Sequence, residues 1–329
     1  MSDRLGVLLM TYGSPADDLH DLPAYLSAVR GGREPSAELV AEFRRRYELI
    51  GGSPLLPITR AQATAVAKRL RADGIDAAAT VGMRFSAPSI LDGLRELSAS
   101  GCATVSAIVM SPQYSELLMS GYRRAIEAAV AELGSRAPSV HLAPAWYQEP
   151  AFVDAVVQRI RAGLASMPDG TPLLLTAHSL PRRVAEAEPA YLEQLRATAV
   201  SVSIAAGLDD GRWHFCWQSA GHEPGDWMKP DFSDLLPRLR QAGHRSVLVA
   251  PIQFLADHLE ILYDVDIGAR DQAEAEGMAF ARIESLNVSP TFIGALARIA
   301  VDAASAAARL ARQGGNGPVG WTSHKRHHV

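Results

Sequence analysis

Residues 246–266 read SVLVAPIQFLADHLEILYDVD. The opening run Ser246–Ala250 is short, apolar and rich in valine, which marks a strand buried on both faces rather than a helix. A turn at Gln253-Phe254 follows. Asp257, Glu260 and Asp264 then come at spacings of three and four, so on an α-helix they would share one face. A buried strand leading through a polar turn into a helix is the building unit of an open parallel sheet.

The same unit recurs in both directions along the chain. Further strands are predicted at Leu5–Met10, Ala78–Met83, Val105–Met110, Val140–Ala143, Leu173–Ala177, Trp213–Trp217 and Phe280–Ile283, with amphipathic helices such as Ser36–Leu49, Ile58–Arg71, Tyr122–Leu133 and Phe152–Ala165 between them. This predicts an α/β protein: two Rossmann-like, doubly wound parallel-sheet halves with a cleft between them. The halves are expected at 1–150 and 151–310, followed by a disordered tail at 311–329 whose Gly314–Val329 stretch ends HKRHHV and could bind metal adventitiously. Residues around Pro112 (IVMSPQYSELL) echo those around Pro251 (LVAPIQFLADHLE) at a displacement of 139, and the surroundings of Pro150 and Pro290 echo each other at 140. These offsets suggest an internal duplication, although strand–loop–helix units also share proline and aromatic residues by chance.

Composition narrows the function. The chain has 329 residues, 48% of them hydrophobic and 21% charged, and a net charge of -4, which offers no basic surplus for nucleic acid. No apolar run nears the roughly 20 residues that span a bilayer, and the start MSDRLGVLLMTYG lacks the layout of a secretory signal. A cytoplasmic protein without a transmembrane segment is expected. Two distant cysteines, Cys102 and Cys216, cannot build a disulfide framework, a zinc site of the CxxC type or an iron–sulfur cluster. No GxGxxG or GxxxxGK[ST] follows any strand, so neither a dinucleotide nor a nucleoside triphosphate is indicated.

In open parallel sheets ligands bind beyond the carboxyl ends of the strands. The residues standing there include Tyr12, Arg84-Phe85, Gln113-Tyr114, His178-Ser179, Gln218-Ser219 and Gln253-Phe254. His178 follows LLLTA on a turn. Glu260 and Asp264 form an acidic column among apolar neighbours; a solvated helix face is the ordinary account of such a column, and a bound cation the alternative. Asp257 and His258 could cap the helix or bond internally. One imidazole and one carboxylate suit ferrous iron or another divalent first-row ion but hold it loosely, as befits a metal in transit.

Five segments taken in order, LLMTYGSP, RRYELIGGSPLLPIT, TAHSLP, WQSAG and PIQFLADHLEILYD, resemble the ferrochelatases, and the likeness runs from Leu5 to about Ala304. The resemblance implies two Rossmann-like halves and insertion of ferrous iron, as substrate, into a porphyrin. It implies that His178 and Glu260 lie across the porphyrin cleft and bind the metal, with Asp264 behind Glu260, and that the Glu260 helix contains a π-type turn. It implies no permanently bound cofactor.

Within the family, enzymes acting on protoporphyrin IX generally carry Met after the first strand and a long hydrophobic lip. This chain has Tyr12 there and a short polar segment at Pro15–Arg33. Tyr12 resembles the axial iron ligand of the coproporphyrin III branch, and Arg30, Arg46, Tyr47, Ser53 and Tyr122 match that branch's product-binding positions. Arginine meets propionates bidentately, though Arg46 could equally be the exposed end of its helix. Two departures stand out: the acidic run does not continue past Asp264, where Gly268 stands, so that metal would take another route or use Asp266; and Gly31 follows Arg30 where many relatives have a second Arg. His178 is the leading acceptor of pyrrole protons and Glu260 the iron holder, with the reverse division open. The downstream coproheme-processing enzyme is an expected partner. The competing readings are a protoporphyrin IX enzyme, another tetrapyrrole chelatase such as one loading sirohydrochlorin, and a non-catalytic haem-binding protein.

Overall fold

A computed structural model of the chain describes residues 4–220, 226–312 and 319–320. Four parallel strands come from each half. The first sheet holds β1 (Arg4–Thr11), β2 (Ala77–Met83), β3 (Cys102–Val109) and β4 (Ser139–Leu142); the second holds β5 (Leu173–His178), β6 (Trp213–Gln218), β7 (Ser246–Pro251) and β8 (Ala279–Arg282). Val7, Leu8, Leu9 and Met10 are all fully buried, because successive side chains of β1 point to opposite faces and both faces are covered. All eight expected strands occur. β4 and β8 sit one residue earlier than the apolar runs suggest, and the displaced residues Ala143 and Ile283 still donate across the sheet, to Ala107 O at 2.8 Å and Val249 O at 2.9 Å.

The strand order is β2-β1-β3-β4 in one sheet, with the short strand Val319–Gly320 added beyond β4, and β6-β5-β7-β8 in the other. The repeat extends to the turns. After β2, Met83 N–H donates to Pro88 O at 2.7 Å; after β6, Trp217 N–H donates to Pro230 O at 2.8 Å. Each turn leads into a helix closed by a reciprocal capping box, Ser89 with Asp92 and Asp231 with Asp234. Ahead of the prolines that start the helices Pro150–Ala165 and Pro290–Arg312, Glu149 N–H donates to Trp146 O and Ser289 N–H to Leu286 O. Chance likeness of two units does not reproduce strand order, turn and cap together.

Helix lengths follow their caps. The helix expected from Tyr122 begins at Glu116, since Ser115 accepts from Leu118 N–H, and the one expected over Ile58–Arg71 runs Leu55–Ala72. The segment Pro15–Arg33 is less polar in structure than in sequence: it folds a helix at Leu22–Val29 whose Leu22 and Leu26 bury against Tyr47 and Leu259.

The largest apolar core joins the halves, drawing Leu9 and Ile108 from the first sheet, Leu173 and Leu248 from the second, and Phe152 and Phe292 from helices. The helix Pro150–Ala165 lies against the second sheet, where a side chain at Gly163 would come within 3.0 Å of Leu248. The last helix, Pro290–Arg312, instead crosses back onto the first sheet, and Ser106 Oγ on β3 donates to Ala300 O at 2.6 Å. Cys102 and Cys216 are buried free thiols. Of the stretch Gly314–Val329 only Val319–Gly320, paired with β4, belong to the described residues; the HKRHHV ending lies outside them.

Candidate active site

The carboxyl ends of both sheets open on a cavity of about 400 Å³, within the roughly 300–1,000 Å³ common for small-molecule sites. Tyr12, Tyr47 and Tyr122 line it from the first half, and His178, Gln253 and Glu260 from the second. The cleft thus lies between the halves, as two doubly wound sheets predict.

His178 is the last residue of β5. Its backbone N–H donates to Gln253 Oε1 at 2.8 Å, and Gln253 Nε2 donates in turn to the buried Tyr191 hydroxyl. The ring's Nδ1 stands 2.6 Å from Ser179 O. A carbonyl oxygen only accepts, so Nδ1 carries a proton, and in the neutral form of the ring Nε2 holds the lone pair. That lone pair can take a proton or a metal.

Glu260 opens a ten-residue π-helix, Glu260–Ala269, anchored by the buried Ile261, Val265 and Ala269. The sequence reading of an α-helical column of three acids is corrected here. Asp257 precedes the helix, and its carboxylate accepts from Ser285 Oγ at 2.7 Å and Asn287 Nδ2 at 2.9 Å. Neither Asp257 nor His258 caps the helix, whose N-cap is Leu259 without a side-chain bond. His258 instead donates from Nδ1 to Ala256 O at 2.8 Å and turns Nε2 to Glu260 Oε2 at 3.2 Å. A neutral imidazole nitrogen and a carboxylate both accept, so this contact attracts only when a proton lies between them. Glu260 and His258 thus stand side by side on the cavity wall.

Asp264 lies behind Glu260, outside the cavity lining. Burial raises its pKa and the Glu260 charge adds to that, while a hydrogen bond from Ser219 and the charges of Arg46 and His178 oppose it. Arg46 Nη1 approaches Asp264 at 3.6 Å; the same guanidinium bonds Glu42 at 2.8 Å and lies over the Tyr263 ring at 4.7 Å. Arg46 is therefore not the exposed helix end that the sequence left open. Asp266 is not a spare metal route either. Arg282 holds it bidentately, at 2.7 and 2.9 Å, and also reaches Asp257 at 3.3 Å. At Gly268 a side chain would meet only Tyr263 O at 3.7 Å, so the acidic run stops there for reasons other than space.

Ser53 joins Tyr47 and Tyr122 on the lining, and Arg30 closes the helix Leu22–Val29 directly after Val29, a lining residue. Tyr12 is 38% exposed, its ring 5.2 Å from Phe85 and edge-on to Tyr122 at 6.3 Å. The surrounding protein pushes its phenol upward in pKa, against the charge of Arg84. Sequence reasoning passed over wall residues, Tyr25 and Tyr191 among them, and one pairing. Tyr25, which donates to Gly13 O at 3.0 Å, is legible in the helical spacing of Leu22, Leu26 and Val29. The pairing of His258 with Glu260 has no sequence signal, since residues two apart face each other on no regular helix.

Two parallel sheets meeting over one cleft define a chelatase-like α/β protein, and solved structures share that fold. SirB from Bacillus subtilis with Fe3+ superposes with a TM-score of 0.59, at 10% identity, over 93% of this chain and 98% of its own. DR2241 from Deinococcus radiodurans, described as similar to chelatases, gives 0.53 at 14% identity over 92% of this chain and 55% of its own. The chain belongs to the ferrochelatase family: the profile described as Ferrochelatase matches residues 4–304. A protein named Ferrochelatase from Deinococcus radiodurans is 38% identical, over 90% of this chain and 94% of that one. Proteins named coproporphyrin III ferrochelatase are 35% identical in Geobacillus sp. and 34% in Bacillus subtilis, each over 90% of this chain and 96% of the relative. Among the described residues no helix is long and apolar enough to cross a membrane.

Proposed function

We propose that this chain inserts ferrous iron into coproporphyrin III, releasing two protons and iron coproporphyrin. The observation that carries the proposal is the meeting, on one cavity, of His178 and Glu260 with Tyr12 from the other half. A free-base porphyrin holds two N–H protons in the ring plane, and Fe2+ can replace them only once the lone pairs are exposed. The cavity's aromatic and apolar wall supplies binding energy to offset bending of the macrocycle. His178 Nε2 accepts the two pyrrole protons in turn, passing the first to solvent before it takes the second. Glu260 holds the incoming iron, with Asp264 behind it. No change of iron oxidation state is required, and no resident cofactor or iron–sulfur cluster takes part.

The choice of coproporphyrin III rests on its four propionates and on the 34–35% identical relatives that bear its name. Arg30 would pair with the carboxylates, and Arg46 would do so by exchanging its contacts to Glu42 and Asp264, while Tyr47, Ser53 and Tyr122 offer hydroxyls and Tyr12 ligates the product iron. The product would pass to an enzyme that processes coproheme, in the cytoplasm. The test is iron insertion followed by absorbance, with coproporphyrin III and protoporphyrin IX offered in parallel. Faster turnover of coproporphyrin III is expected. Preference for protoporphyrin IX overturns the substrate, and metallation of neither overturns the activity.

A further inference from the structure

One cation lies just outside the cavity wall. Arg84 follows β2, and its backbone N–H extends the sheet by donating to Thr11 O at 2.9 Å, while Phe85 N–H donates to Tyr12 O at 3.0 Å. The guanidinium then turns inward among three aromatic rings, 4.5 Å from the Phe85 centroid, 5.5 Å from Tyr122 and 5.7 Å from Tyr12. Its Nη1 donates to Leu118 O at 3.3 Å. Ring faces carry negative quadrupole potential, so three of them hold a guanidinium in place without a carboxylate.

The space for this group comes from residue 121. Gly121 lies inside the helix Glu116–Leu133, one residue before Tyr122. A Cβ at that position would stand 2.0 Å from Arg84 Nη2, 2.1 Å from Cζ and 2.5 Å from Nε. A single methyl group therefore cannot coexist with the guanidinium as placed. Glycine in a helix interior is the costlier choice for the helix itself, and here it leaves the slot that Arg84 fills.

We propose that Arg84 is a positioning residue that holds the Tyr12 ring in register with the cavity, from a slot that exists because residue 121 is glycine. Phe85 and Tyr122 flank the Tyr12 ring; the guanidinium is the wedge among all three. The inference rests on the reading of Tyr12 as the ligand of the product iron. It predicts that removing the wedge and removing the slot have the same consequence, although one substitution deletes the charge and the other keeps it.

The test loads the full chain with iron coproporphyrin III, oxidises it and reads the tyrosinate-to-iron charge-transfer absorption. Turnover is not needed for this readout. Tyr12→Phe abolishes the band. Arg84→Met and Gly121→Ala are each expected to weaken it by about half or more, and Arg84→Lys, which retains a cation, to lose less. Should Gly121→Ala fail to fold, Arg84→Met against Arg84→Lys decides the matter. A full-strength band in Arg84→Met, with Tyr12→Phe lacking it, overturns the role of Arg84 alone. A band that survives Tyr12→Phe, or a wild-type chain that takes up no iron coproporphyrin, removes the underlying reading and this proposal with it.

Discussion

After β3 the chain caps an ordinary α-helix with Ser115; after β7, at the matching point of the second half, it enters a π-helix at Glu260. The glutamines at these two strand ends lie 140 residues apart. Gln113 bonds Thr198 Oγ1 at 3.0 Å and leaves its buried Oε1 without a partner, whereas Gln253 uses both ends, on His178 N–H and the Tyr191 hydroxyl. One repeated scaffold thus presents tyrosines and an encaged arginine on one side and two imidazoles with a carboxylate on the other. The shared features are the strands, turns and caps that build a parallel sheet. The differences that shape the site stand at the strand ends, where the sheet leaves side chains free to vary.

If the second half alone carries the proton and metal chemistry, single substitutions should separate the halves. The largest effect is expected at His178→Ala, which removes the free lone pair and should lower iron insertion by about 10²–10⁴-fold, read as kcat by absorbance. Tyr12→Phe, in the first half, should leave insertion within a few-fold of wild type and change the product spectrum; equal losses from both would erase the contrast. Next comes Arg282→Met, which strands Asp257 and Asp266 in a largely buried site and should cost about 3–5 kcal/mol in urea unfolding, with activity falling as the π-helix loses its clamp. A smaller, more discriminating effect concerns the two glutamines. Gln253→Leu leaves the His178 N–H without an acceptor, a penalty of about 1–3 kcal/mol, and should depress kcat. Gln113→Leu removes an already unmatched carbonyl and should leave kcat unchanged.

The smallest effect is a slope. The buried Asp264 carboxyl has a folded-state pKa above its ordinary 3.8, so between those two values the folded chain binds more protons than the unfolded one. Stability contributed by this group is present below the ordinary value and declines as pH rises through the raised one. Asp264→Asn should remove that decline from the stability–pH curve in the acidic range.

Strand positions were legible because a sheet covered on both faces demands continuous apolar runs, and Leu5–Met10 or Ser246–Ala250 could fold in few other ways. His178 was legible as a polar residue placed directly after such a run. The geometry around Glu260 was not. Spacings of three and four are read on an α-helix, and a π-helix starting at Glu260 excludes Asp257 from the column. Asp266 appeared available because its partner, Arg282, lies on a separate strand sixteen residues away. The slot at Gly121 was equally hidden, since a helix-interior glycine gives no hint of which side chain fills its missing volume.

The crossing of the last helix onto the first sheet bears on how the protein is made. Val7, Leu9 and Ile108 share their core with Leu296, Ile299 and Ala300. A ribosome adding about 5–20 residues per second would need roughly a quarter of a minute to a minute to reach Pro290. For about the second half of that interval, once β4 has been made, the first four strands exist with part of one face uncovered. The chain's two ends must meet before its first half is sealed, so synthesis of the final turns becomes the step that commits the whole molecule to its fold.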